Sequence, residues 1–298
     1  MAICRILAWS VLLATPAVAE LLKTPVWSEA PPHAFEVLVD GEPVPVQSVQ
    51  TPDDELVLLL VMDVVERADR VDAAREAIVR KLTELGPKYY AGVLSAQDGL
   101  EVKQDPTRGR GKLRRNLEGL DVRGVPGLLD VIEQASQIAD RTLLAADVRL
   151  AVLFLTDGEI EDYRGDYTIP VVNPSDGRDL SRRFGSQLIL ERIRSTVDAL
   201  ESAQVPLFFL HLARQYDDLN EVYQNGISEF ARVTGGTALF AQGLQEVPVL
   251  VNQVLDEIAG HSVVSIEVEC SGLHQLEVLA GQDEVRHVSL IGCPSPGS

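Results

Sequence analysis

Two apolar runs in this chain end in acids. Leu56–Asp63 is unbroken until its final carboxylate, and Ala151–Glu159 runs apolar into Thr156-Asp157-Gly158-Glu159. Runs of this length with polar borders predict strands buried on both faces of a parallel sheet. Val205–Leu210 predicts a third such strand, with Tyr89–Ser95 and Leu100–Gln104 as two more. Between them the apolar positions recur at helical spacing. Val71, Ala74, Ile78, Leu82 and Leu85 form one stripe, and Leu128, Val131, Ile132, Ala135 and Ile138 a second. Leu190, Ile193, Val197 and Leu200 form a third, and Val247, Leu250, Val254 and Ile258 a fourth. Gly86-Pro87 ends the first helix, Pro126 lies near the start of the second, and Gly235-Gly236 caps a helix around Ser228–Val233. Asp157 to Gly185 is polar and carries Pro and Gly, which predicts a long loop.

The flanks follow a different period. Phe35–Val39 and Val44–Val49 largely alternate around Asp40-Gly41, a hairpin signal, and Thr51–Asp54 reads as a linker. From Ser262 alternation returns with Val264, Ile266 and Val268 and continues to Ile291. The expected organisation is a signal peptide at 1–19, an N-terminal β-hairpin extension at 20–54, a central domain at 55–261 and a C-terminal β segment at 262–298. Strands alternating with helices make the central domain α/β, a doubly wound, mostly parallel sheet long enough to bury its own core.

Composition adds a compartment. Arg5, the apolar stretch from Ile6 to Val18 and the Ala17-Val18-Ala19 site have the form of a secretion signal. No later stretch has the ~18–20 unbroken apolar residues of a membrane span. Export to the periplasm or the medium follows as an expectation. With 45 acidic against 26 basic side chains the net charge is −19, which repels phosphate backbones and excludes nucleic acid as a natural partner. Of three cysteines, Cys4 leaves with the signal. Cys270 and Cys293 remain, and in an oxidising compartment they permit one disulfide between strands of the C-terminal segment; two free thiols are the alternative.

The turn after the first buried strand decides against common enzymes. Val64-Val65-Glu66-Arg67-Ala68-Asp69 contains no glycine, so neither a dinucleotide fingerprint nor a P-loop fits. The chain has no G-x-S-x-G elbow and no H-E-x-x-H helix, and its five histidines are scattered. What remains is a pair of aspartates at two strand ends, where open α/β sheets bind ligands.

The order of these parts resembles the von Willebrand factor type A (VWA) domain, and more closely the exported bacterial proteins related to it. The resemblance covers roughly residues 35–270. It rests on the strand ending at Asp63, the Gly124-Val125-Pro126-Gly127-Leu128-Leu129-Asp130 turn into a helix, Leu155–Glu159, and Thr234-Gly235-Gly236, preceded by Val39-Asp40-Gly41-Glu42. It implies a Mg²⁺ site built by a D-x-S-x-S motif, a threonine and a second aspartate, through which a partner's carboxylate is bound. Asp63 matches the first aspartate and Asp157 the second. Val65 and Arg67 stand at the serine positions and Pro126 at or near the threonine, so the oxygens that an octahedral ion requires are missing. The expectation is a degenerate site with no metal and no cofactor, in which Arg67 pairs with Asp63 or Asp157.

The functional expectation is an exported, non-enzymatic protein-interaction module. Its binding residues would be Asp63, Arg67, Asp157 and Glu159 at the strand ends, with Tyr163 and Tyr167 in the following loop as contact tyrosines. Two other classes compete: a metal-dependent binder or enzyme using Asp63 and Asp157, and a structural subunit of an envelope assembly held by the β flanks.

Overall fold

The structure, a computed structural model, describes residues 19–97, 99–160, 177–269, 273–281 and 283–292. Its centre is a six-stranded sheet of β5 (Leu56–Asp63), β6 (Tyr89–Ser95), β7 (Glu101–Thr107), β8 (Arg149–Thr156), β9 (Leu207–His211) and β10 (Ala238–Phe240). The strand order is β10-β9-β8-β5-β6-β7, parallel except for β7, which runs antiparallel to β6. Every residue of β5 and β8 is buried, as unbroken apolar runs at the middle of a parallel sheet require.

Among the described residues, six α-helices cover the two faces. Leu58, Leu60 and Met62 point to the side of α1 (Ala68–Leu85), α2 (Arg110–Glu118) and α6 (Val247–Gly260). Val57, Leu59 and Val61 point to α3 (Leu128–Ala145), α4 (Gly177–Leu200) and α5 (Asp218–Thr234). The doubly wound α/β class read from the sequence is the observed one.

The structure adds two short elements that the sequence pattern does not show and moves one boundary. α2 has only Leu113 and Leu117 as buried apolar residues, too few for a periodic signal. β10 has three residues. The stretch expected as loop to Gly185 turns helical at Gly177. An interior glycine weakens a helix by ~1 kcal/mol without breaking it, so Gly185 is no boundary.

The two flanks, expected as separate, form one body. β1 (Ala19–Val26) pairs with β11 (Ser262–Glu269), which pairs with β4 (Val46–Gln50). In a second sheet β12 (Leu273–Ala280) lies between β13 (Asp283–Gly292) and β2 (Phe35–Val39), with β3 (Glu42–Val44) at the edge. Val26, Phe35, Val37, Val264, Ile266, Leu276 and Val278 fill the core of this β module. The Asp40-Gly41 hairpin is as expected, with φ of 52° and 81° as a type I′ turn requires. Beyond β3 the chain does not continue the hairpin but crosses to the other sheet as β4. Residues 1–18 of the expected signal, and both Cys270 and Cys293 with their disulfide, lie outside the described residues; Ala19 opens β1.

Buried cations fasten this module to the amino end of the central sheet. Arg149, fully buried at the start of β8, donates to the carbonyls of Ala259 and His261 at 2.9 and 2.8 Å. Its other terminal nitrogen donates to Pro52 and Asp54 at 3.1 and 3.0 Å. One guanidinium therefore holds both links between the bodies. Lys23 of β1 caps the end of α3, donating to Leu143 and Ala146 at 2.9 and 3.1 Å, where the helix dipole favours a cation. Among the described residues no helix is long and apolar enough to cross a membrane.

Candidate functional site

The parallel pairing of β5 and β8 places Asp63 directly opposite Thr156, with Asp157 one residue beyond. Both aspartates have zero solvent exposure. A buried carboxylate must be matched by hydrogen bonds, and here the loops supply them. Asp157 accepts from the backbone amides of Val65 (2.6 Å), Glu66 (3.1 Å) and Arg67 (2.6 Å). These lie in the turn that enters α1, so Asp157 fixes that turn from another strand. Asp63 accepts the Gly127 amide at 2.7 Å and the Thr156 hydroxyl at 2.9 Å. Burial, opposed by these hydrogen bonds and aided by the charge of Asp157, pushes its pKa from 3.8 up to about 6.

Two glycines make this packing possible. A Cβ on Gly127 would lie 2.0 Å from the Ala96 carbonyl oxygen, so only glycine brings that amide to Asp63. A Cβ on Gly158 would lie 2.8 Å from Cβ of Pro126, so the buried proline sits directly against the Thr156-Asp157-Gly158 turn.

The side chain of Arg67 does not pair with either aspartate, as the sequence suggested. It binds Glu159 at 3.0 Å, on the partly exposed rim. The reason is geometric: Asp63 and Asp157 are buried under the loop backbone, so only the Arg67 amide reaches Asp157. Gln215 also donates to Glu159. Tyr163 and Tyr167 lie outside the described residues.

Sequence reasoning missed three contributors to this face. His211, at the end of β9, is buried; its Nε2 donates to the Gly158 carbonyl and its Nδ1 accepts the Ala213 amide, both at 3.2 Å. Burial lowers its pKa to about 4, and the nearby Arg67 and Arg70 add to the effect, so the ring stays neutral. Arg70 ties α1 to the end of β9 through the Leu212 carbonyl at 2.5 Å. Thr156 stood inside the Thr-Asp-Gly-Glu motif, and its hydroxyl completes Asp63. His211 and Arg70 carry no motif; the end of a buried strand was their only signal.

The residues do not fit a bound Mg²⁺. Asp63 and Asp157 use both carboxylate oxygens on the chain's own donors. Val65 and Pro126 offer no side-chain oxygen, and Arg67 brings a cation to the rim. No group of three or more His, Cys, Asp or Glu suited to a metal occurs among the described residues.

No protein-family model matches the sequence, and no curated protein matches it. Solved structures do. The PilB minor pilin from Streptococcus sanguinis superposes with a TM-score of 0.50 at 12% identity, over 72% of this chain and 63% of the pilin. The chain thus spans less than two thirds of that protein. A von Willebrand factor type A protein from Catenulispora acidiphila matches with a TM-score of 0.48 at 10% identity, over 95% of this chain and 74% of that one. At such identities the likeness concerns architecture alone. The doubly wound, mostly parallel sheet with paired aspartates at its strand ends is the VWA-like architecture that the sequence resemblance implies.

Proposed function

We propose that this chain is an exported, non-enzymatic protein-interaction module that binds its partner at the carboxyl end of the central sheet without a metal ion. One observation carries the reading: both strand-end aspartates are fully buried and hydrogen-bonded to the chain itself. Their role is to fix the loops, and the loops then present the surface. That surface carries Val125 at 50% and Tyr216 at 73% exposure beside the Arg67–Glu159 pair. Exposed aromatic and arginine side chains suit a protein contact. The signal-like first 19 residues and a fold shared with a minor pilin support an exported setting.

The metal-dependent alternative predicts capture that fails in chelator. The test is recovery of partners from the native envelope on the immobilised full chain, with Mg²⁺ and with EDTA. The same partners in equal yield are expected under both conditions, and Tyr163→Ala with Tyr167→Ala should weaken recovery without lowering the melting temperature. Recovery that requires Mg²⁺ would overturn the reading.

A further inference from the structure

Arg214 is an exposed cation in a chain of net charge −19, yet among the described residues it has no acidic partner. Its contacts are aromatic. The guanidinium lies 5.6 Å from the ring centre of Tyr216 and 5.9 Å from that of Phe240. The loop carrying it is braced: the Arg214 amide donates to the Ala241 carbonyl at 2.9 Å, and Gln224 donates to the Gln215 carbonyl at 2.8 Å. Gln215 reaches back to Glu159, which joins this loop to the strand-end site. A groove of about 290 Å³ opens here, lined by Arg214, Tyr216, Glu221, Asn225, Ser228 and Phe240. No ion pair joins Glu221 to Arg214 across it.

A guanidinium held against two rings has lost part of its rotamer freedom before any ligand arrives, while its planar fork of donors stays open. Carboxylates match that fork with two parallel hydrogen bonds. Tyr216, the most exposed of the large hydrophobic residues among the described residues, stands where it can cover such a pair from water. Arginine and tyrosine grouped in this way are the residue types on which binding energy concentrates. The acidity of the chain opposes a polyanion but not a single carboxylate placed at Arg214, because exposed charges farther off are screened beyond ~8 Å at physiological ionic strength.

We propose that Arg214 anchors the partner interface by receiving an aspartate or glutamate side chain of the partner protein, with Tyr216 shielding the pair. This rests on the interaction reading above and names the chemistry of the contact.

The test is an NMR titration of the full chain with acetyl-Glu-Glu-amide, and with acetyl-Gln-Gln-amide as control, following the Arg214 Nε–H and the amides of 214–216 and 225. Saturable shifts are expected with the glutamate peptide, at least fivefold weaker with the glutamine peptide. Arg214→Lys, which keeps the charge and loses the fork, should weaken the response by a similar factor, and Tyr216→Ala by less. These side chains are exposed, so unchanged amide spectra elsewhere check that the variants fold. Equal shifts with both peptides, absent shifts, or an undiminished response in Arg214→Lys would overturn the proposal. Partner recovery that persists in chelator but ignores Arg214→Lys would overturn it too, while leaving the metal-free interaction reading in place.

Discussion

The two ends of the central sheet solve the same problem with opposite charges. At the carboxyl end, buried Asp63 and Asp157 are held by backbone N–H groups of the loops above them. At the amino end, buried Arg149 is held by four backbone carbonyls of the links below it. In neither place does the charge's hydrogen bonding depend on a ligand. Buried charges in an α/β domain invite a functional reading; here the accounting of hydrogen-bond partners argues for structural roles, and function moves outward to the rim.

The amino end should be the more sensitive. Arg149→Met leaves four carbonyls to find new partners and unties both links, so a loss on the order of 4 kcal/mol is expected in urea unfolding. A loss below about 1 kcal/mol would mean that water replaces the guanidinium and that the clamp contributes little. At the carboxyl end, Asp157→Ala orphans three amides in the turn before α1 and should cost about 2–3 kcal/mol. A neutral result there would remove the turn-fixing role.

A subtler contrast comes from pH. The folded-state pKa of Asp63 is raised from 3.8 to about 6, so its contribution is complete below pH 3.8 and is lost as pH rises through 6. Asp140 behaves alike, raised to about 6 by burial. His211 opposes both: its pKa is depressed from 6.5 to about 4, so its contribution is present above 6.5 and lost as pH falls through 4. Wild type alone therefore gives a partly cancelled profile. Asp63→Asn isolates one group, since the amide can accept from Gly127 and donate to Thr156. Wild type should lose stability relative to this variant as pH rises from 4 to above 6; parallel melting curves across that range would refute the assignment.

The smallest effect is expected at the rim. Arg67→Ser removes a partly exposed ion pair that stabilises by at most ~1 kcal/mol. A shift in melting temperature corresponding to more than twice that would make the Arg67–Glu159 pair a structural element of the same rank as the buried aspartates.

The contrast also explains what could be read in advance. Leu56–Asp63 and Ala151–Thr156 announced a parallel sheet because strands buried on both faces must be apolar throughout. The alternation of the flanks showed which positions face a core but not that β4 and β11 share a sheet, since a period of two names a face and not a partner. The aspartates were legible as a pair at strand ends and Arg67 as a cation near them, but its pairing with Glu159 was not. What holds the aspartates was not, because backbone amides leave almost no trace in sequence; Gly127, placed by a close approach to Ala96, is the nearest to one. Arg149 gave no signal, as a lone arginine before an apolar run reads as a strand boundary.

The central claim is that the strand-end aspartates serve the fold and bind no metal, and thermal melting of the full chain tests it most directly. A ligand that binds only the native state raises stability by RT ln(1 + L/Kd) at free concentration L. Melting temperatures in millimolar Mg²⁺, in millimolar Ca²⁺ and in chelator should coincide. A rise with either ion that disappears in Asp63→Asn would contradict the account.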